Sequence, residues 1–229
     1  MKPRENMMRL LRHPSVVLIA LIVLYVALMK AGGSNVRIAF RVPHDAAIAP
    51  AYVIQHSWAI RWGSFCELAS AIPLGIFIAV CIGRLRVLGI SAGEQIAALG
   101  GIATPIMLAA SAMATWSLTR PGVAAAPGAV AALQSIGFDG GGPGFAVFFG
   151  LFVAGVSVAA GMPKLIPRWL MWLGIVVAAA GELSALTLLN FTAGYFIPVI
   201  RFLSIIWMLA LALRWPPAAP VPVAEDGGN

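Results

Sequence analysis

Pro143-Gly144-Phe145-Ala146-Val147-Phe148-Phe149-Gly150-Leu151-Phe152-Val153-Ala154-Gly155-Val156-Ser157-Val158-Ala159-Ala160-Gly161-Met162 runs for twenty residues without a charge. At ~1.5 Å per residue, a helix of this length covers ~30 Å, the thickness of a bilayer's hydrocarbon core. A strand of an outer-membrane barrel would place a polar, lumen-facing residue at every second position, and this stretch does not. In lipid, where every backbone N–H and C=O must be satisfied within the chain, the remaining solution is a helix. Similar apolar runs occur at 14–31, 58–81, 95–117, 169–189 and 195–214. The fold class that follows is all-α: a polytopic transmembrane bundle of about six spans, forming one domain over 14–214. A basic segment, 1–13, precedes it, and a proline-rich tail, 215–229, follows and is expected to be disordered.

The composition agrees. Of 229 residues, 61% are hydrophobic and 10% charged, whereas soluble domains are roughly half apolar and about a quarter charged. The net charge of +7 would fit a nucleic-acid binder only if the basic residues gathered on one face. They are instead scattered one or two per loop, so no nucleic-acid partner is expected. Cys66 and Cys81 lie 15 residues apart in one apolar run, about 22 Å along a helix, too far to bridge each other. Both read as small buried side chains. The first run is followed by Leu28-Met29-Lys30 rather than the small residues of a signal-peptidase site, so it reads as an uncleaved first helix.

Lys and Arg near the ends of short loops set the orientation. With the N-terminus in the cytoplasm, the inner side receives Lys2, Arg4, Arg9, Arg12, Arg84, Arg86, Lys164, Arg168 and Arg214, nine in all, against six outside. Trp58, Trp62 and Trp116 would mark the outer interface and Trp169, Trp172 and Trp215 the inner one. The expected topology has both termini in the cytoplasm, with the lipid bilayer as the first partner. Oligomeric state is not readable.

Between spans, Val36-Arg37-Ile38-Ala39-Phe40-Arg41-Val42 alternates and stops at Pro43, as a brief strand or interfacial segment would. Ala129 to Ile136 is too short to span and is expected at the surface or packed back on the bundle. Gly140-Gly141-Gly142-Pro143 reads as a flexible turn; with no Gly-Lys-Ser/Thr after it and no strand before it, it is not a phosphate loop. Gly93, Ala97, Gly101, Pro105 and Ala109 recur every fourth residue, a small-residue stripe that predicts a central, tightly packed third span. Thr104 and Ser111 are expected to bond their own helix backbone. His44, Asp45 and His56 are too irregularly spaced for zinc, and neither a metal nor a cofactor is expected.

Chemistry therefore rests on charges inside apolar runs. An acidic side chain near the bilayer centre costs about 2.5–3.5 kcal/mol, so it persists when paired, protonated or facing water. Glu67 lies about 14 Å below Trp58, Glu182 about 12 Å below Asn190, and Arg201 about 9 Å below Tyr195, all in the outer half. If their spans are neighbours, the three converge on an outward-facing polar cavity. Two carboxyls cannot both pair with one guanidinium, so one glutamate is expected to hold a proton. The plainer reading is that each glutamate bonds a neighbouring helix as structural glue while Arg201 snorkels outward. Glu67-Leu68-Ala69-Ser70 and Glu182-Leu183-Ser184-Ala185 hint at an inverted three-helix repeat, but such a repeat should mirror their depths and the count does not.

Met162-Pro163-Lys164-Leu165-Ile166-Pro167-Arg168-Trp169-Leu170-Met171-Trp172-Leu173-Gly174 resembles an inner-loop signature, Pro-Arg-Trp-Leu, of a family of uncharacterised bacterial six-helix integral membrane proteins. The resemblance implies topology and a bacterial cytoplasmic membrane, and no substrate. Three functions stay open. One is binding or transport of a small solute, ion or proton through the acidic cavity. The others are an embedded enzyme acting on a lipid or isoprenoid, with a glutamate as general acid, and a non-catalytic subunit of a membrane complex.

Overall fold

The computed structural model describes residues 14–39, 48–87, 89 and 91–215, and the described residues contain no strand. Six helices are long and apolar enough to cross a membrane, and the chain is a multi-pass, all-α membrane protein. The first span is α1 (Pro14–Ala39). A short α2 (Ala49–Gln55) leads into α3 (Ser57–Val87), the second span. α4 (Ser91–Ser117) is the third, and the one-turn α5 (Pro121–Ala124) follows it. The fourth span joins α6 (Pro127–Asp139), a π-helical segment (Gly140–Gly144) and α7 (Phe145–Gly161). α8 (Arg168–Leu183) continues into a 3-10 turn (Ser184–Leu188) as the fifth, and a second 3-10 turn (Phe191–Tyr195) opens α9 (Phe196–Arg214), the sixth.

Two expectations about the connections are corrected. The Gly-Gly-Gly-Pro stretch is not a turn, and Ala129 to Ile136 is not separate from the spans: both belong to one continuous apolar run from Pro127 to Gly161, in which the earlier stretch packs back on the bundle through Val130, one of its two expected placements. A lone Gly-rich stretch in water would open, but here its backbone groups have no water to bond and stay helical, with Pro143 accommodated by the wider π turn. Likewise α1 continues through Ala39, so residues 36–39 are helical and not a strand. Phe40 to Val42, His44, Asp45 and the segments 1–13 and 216–229 lie outside the described residues.

The spans pack in a ring in chain order, with α9 returning to α1. The fourth span is the most buried and forms the centre, a place the small-residue stripe had assigned to the third. The stripe does pack tightly: a Cβ on Gly155 of α7 would meet Ala97 N of α4 at 2.5 Å and the Gly93 carbonyl at 2.8 Å. Around this contact Phe77, Phe149, Phe152 and Trp207 build the core, with Phe152 edge-on to Phe77 and to Trp207 at ring distances of 6.4 and 6.1 Å. Deep in the bundle this is helix-to-helix contact by van der Waals packing rather than burial from water.

The ends of the bundle are held differently. Trp58, Trp62 and Trp116 share one end, around a groove that also contains Arg61, whose Nε donates to Thr119 Oγ1 at 3.1 Å. At the other end Arg86 pairs with Glu94 at 2.6 Å across the α3–α4 turn, where Gly89 takes a left-handed φ of 72°. Trp215 there is buried, and the Arg84 guanidinium stacks over its ring at 5.9 Å. Cys66 and Cys81 are free and buried.

Candidate functional site

A cavity of about 610 Å³ lies at the end of the bundle shared by the start of α3 and the start of α9. Two helical rows make its walls. α1 contributes Tyr25, Val26, Met29, Lys30 and Gly33, and α9 contributes Ile197, Pro198, Arg201, Phe202 and Ile205. Both rows have the spacing i, i+1, i+4, i+5, i+8, which is one face of a 3.6-residue helix. α1 and α9 touch each other only sparsely, and the gap between the rows is the cavity. Glu67 of α3, Phe138 of α6, and Gly141 and Gly142 of the π segment complete the lining.

Glu67 is 3% exposed. Ser111 of α4 stands between it and the fourth span, its Oγ 3.0 Å from Glu67 Oε1 and 2.7 Å from the Gly137 carbonyl. A hydroxyl has one hydrogen to donate. Ser111 can therefore satisfy the Gly137 carbonyl or an ionised Glu67, but not both. Both bonds form together when Glu67 carries a proton and donates to Ser111 Oγ, while Ser111 donates to Gly137. In either state Glu67 Oε2 remains buried without a partner among the described residues. A polar atom left so costs about 1–3 kcal/mol, which a ligand N–H or O–H would offset.

The π segment brings the helix backbone to this carboxyl. A Cβ on Gly141 would stand 2.5 Å from Ser111 Oγ and 3.0 Å from Glu67 Oε1, so a larger residue would push the network apart. The Gly141 carbonyl, on the same turn, accepts from Arg201 Nη2. The Arg201 guanidinium lies over the Phe145 ring at 5.0 Å, a cation–π contact that holds it in the bundle. Its Nε and Nη1 bond nothing among the described residues. Glu67 and Arg201 line the same space without forming an ion pair; the pair among the described residues is Arg86 with Glu94. π turns of this kind recur at functional sites, where the widened backbone re-aims nearby groups.

Of the three charged residues singled out in the sequence, the structure thus brings two together. Glu182 sits on the exposed face of α8 beside exposed Leu183, takes no part in the cavity lining, and has no hydrogen bond or ion pair among the described residues. Convergence of all three is corrected to convergence of Glu67 with Arg201. Arg201 does not snorkel free of the bundle, since it is bound to Gly141.

Tyr25, which the sequence reading passed over, and Ser111, which it assigned to its own helix backbone, complete the site. Thr104 bonds its own helix at the Gly100 carbonyl as expected, at 2.7 Å, but Ser111 bonds across to Gly137 and Glu67. Tyr25 and Lys30 were readable only as an aromatic and an interfacial cation of the first span; the signal for them was their i, i+5 placement on one face with Val26 and Met29. His56 is engaged locally, its Nδ1 2.9 Å from the Tyr52 carbonyl and its ring stacked on Tyr52. No group of three His, Cys, Asp or Glu that could hold a metal ion occurs among the described residues. Comparisons of the chain with protein-family models, curated proteins and solved structures return no match.

Proposed function

We propose that this chain is a bacterial cytoplasmic-membrane protein with both termini inside, which binds and moves a small solute, ion or proton through the Glu67–Arg201 cavity. With that orientation α1 runs outward, and the cavity, lined by its C-terminal half, faces the outer side. The observation that carries the reading is Glu67: a carboxyl buried in an apolar bundle, one oxygen without a partner among the described residues, lining the same cavity as a guanidinium with which it forms no ion pair. The bond between Glu67 and Ser111 of the neighbouring α4 is the cross-helix contact that structural glue expects, and it uses one oxygen; the second oxygen is what that reading leaves without a use. A carboxyl with an idle oxygen beside a cavity is set to accept from a bound species, and the cavity is the side from which it can exchange a proton.

Accessibility from one side tests both topology and cavity. Gly33 lines the cavity mouth and Gly83 lies near the opposite end; a Cβ at either position meets no atom within 4 Å, so cysteine fits at both. The native cysteines are buried and serve as an internal blank. In right-side-out bacterial spheroplasts, a membrane-impermeant thiol reagent is expected to label Gly33→Cys and not Gly83→Cys, with the reverse in inside-out vesicles. Labelling of Gly33→Cys only from the inner face, or from neither face, would refute an outward-facing cavity.

A further inference from the structure

The cavity's ligand class can be narrowed, resting on the reading that this cavity binds a ligand. We infer that the ligand is an amphiphile with an anionic head group, the head held by Arg201 and Lys30 against Glu67 and the chain lying in the seam between α1 and α9.

The charge of the lining points to the head. Arg201 and Lys30 are two cations, and Glu67 is the one carboxyl with them. When Glu67 holds the proton that completes the Ser111 bonds, the lining is doubly positive; when it does not, one positive charge is still in excess. Arg201 presents Nε and Nη1 unbonded, and a guanidinium fork suits the oxygens of a phosphate or carboxylate. Glu67 Oε2 adds a second requirement. When Glu67 is ionised, or holds its proton on Oε1 toward Ser111, Oε2 is an acceptor, so the head is to bring an N–H or O–H beside its anionic oxygens. A simple hydrocarbon meets neither condition, and a bare halide brings the charge but no donor.

The walls point to the chain. Away from Glu67, Arg201, Lys30 and the Tyr25 hydroxyl, the side chains of the lining are apolar: Val26 and Met29 face Ile197, Phe202 and Ile205. Phe202 is 65% exposed on the outside of the bundle, so the seam reaches the surface that meets lipid tails. A molecule already dissolved in the bilayer can therefore enter sideways, keeping its chain in hydrocarbon while only the head passes between α1 and α9. The volume, about 610 Å³, is within the ~300–1,000 Å³ of small-molecule sites and need enclose only the head and the first part of a chain.

The test uses the full chain purified in a neutral maltoside and a scintillation-proximity assay with three probes. Oleoyl-lysophosphatidate carries a phosphate, an adjacent hydroxyl and a chain; monooleoylglycerol lacks the phosphate; glycerol 3-phosphate lacks the chain. Lysophosphatidate is expected to bind at least tenfold more tightly than either of the others. Arg201→Gln is expected to weaken it at least tenfold. Because that change also frees the Gly141 carbonyl, Gly33→Phe serves as a second variant that fills open space without touching the network, and the same loss is expected.

Equal binding of glycerol 3-phosphate would make the ligand a soluble anion and overturn the amphiphile. Equal binding of monooleoylglycerol would overturn the anionic head. Undiminished binding to both variants would place the lipid on the outer surface of the bundle and overturn the site. Failure of every probe while Gly33→Cys still labels from outside would refute this inference and leave the outward-facing cavity standing; failure of that labelling would remove the cavity reading itself.

Discussion

The seam between α4 and α7 is closed, and the seam between α1 and α9 is open, although both join apolar helices in one bundle. In the closed seam the contact residues are glycine and alanine, and the backbones nearly touch: a Cβ on Gly100 would meet Phe152 N at 2.5 Å as well as the Phe148 carbonyl. In the open seam the facing rows carry Tyr25, Met29, Ile197 and Phe202, and a Cβ on Gly33 meets nothing. Lipid tails satisfy an apolar side chain as well as another helix does, so hydrophobicity alone closes neither seam. Close backbone approach does. Where large side chains face each other across most of the seam, the helices stand apart and the space between them can hold something else.

The sharpest way to break that contrast is to put the same side chain into both seams. Gly155→Leu forces a branched chain against the backbone of α4 at Ala97 and Gly93, where neither neighbour can yield by a rotamer change. Overpacking of a well-packed core costs about 1–3 kcal/mol and sometimes more. Here the expected outcome is loss of the monodisperse peak in size-exclusion chromatography in mild detergent. Gly33→Leu, in the open seam, is expected to elute and melt as the unaltered protein does. If the two variants behave alike, the closed seam is not what holds the bundle together.

Next in size is the polar floor of the open seam. Ser111→Ala removes the hydroxyl that Glu67 Oε1 and the Gly137 carbonyl share. Leaving buried acceptors unserved costs about 1–3 kcal/mol, to be read as a lowered melting temperature by differential scanning fluorimetry. Adding Glu67→Leu takes away one of the two stranded acceptors, so the double variant is expected to be less destabilised than the two single losses summed. Strict additivity would mean that the two side chains do not act as one network.

How much of this was legible follows from what each feature averages over. The six spans were readable because hydropathy sums over about twenty residues, and no single misplaced residue alters the sum. The continuity of Pro127 to Gly161 was not, because Gly140 to Pro143 signals a turn by local rules that assume water is available to the freed backbone. Only the packed neighbour, Ser111, and the absence of water make the π turn preferable to a loop. Glu67, Glu182 and Arg201 were visible as charges that lipid should not tolerate. Which way each points was not visible from hydropathy, since α8 is apolar on nearly every side; its buried face is marked by the small residues Gly174, Ala178 and Gly181, a signal read in the third and fourth spans but not in this one. Tyr25 and Lys30 joined the site only once α9 was known to stand opposite α1.

The smallest effect separates the two glutamates themselves. Glu67 and Glu182 open similar four-residue stretches, yet one is locked against Ser111 and the other projects from α8 with no partner among the described residues. Glu182→Gln should therefore change stability by less than about 0.5 kcal/mol, the range of ordinary surface substitutions. Ligand binding should be equally indifferent, because the position does not line the cavity. Glu67→Gln, by contrast, keeps size and polarity but replaces a proton that can leave with an amide that cannot, so any proton-coupled step is expected to fail while the fold survives. Measured side by side in proteoliposomes loaded with a pH-sensitive dye, the pair decides between position and residue type. Equal losses would mean that a carboxyl on the exposed face of α8 serves the same function, and that the cavity is not where the proton is handled.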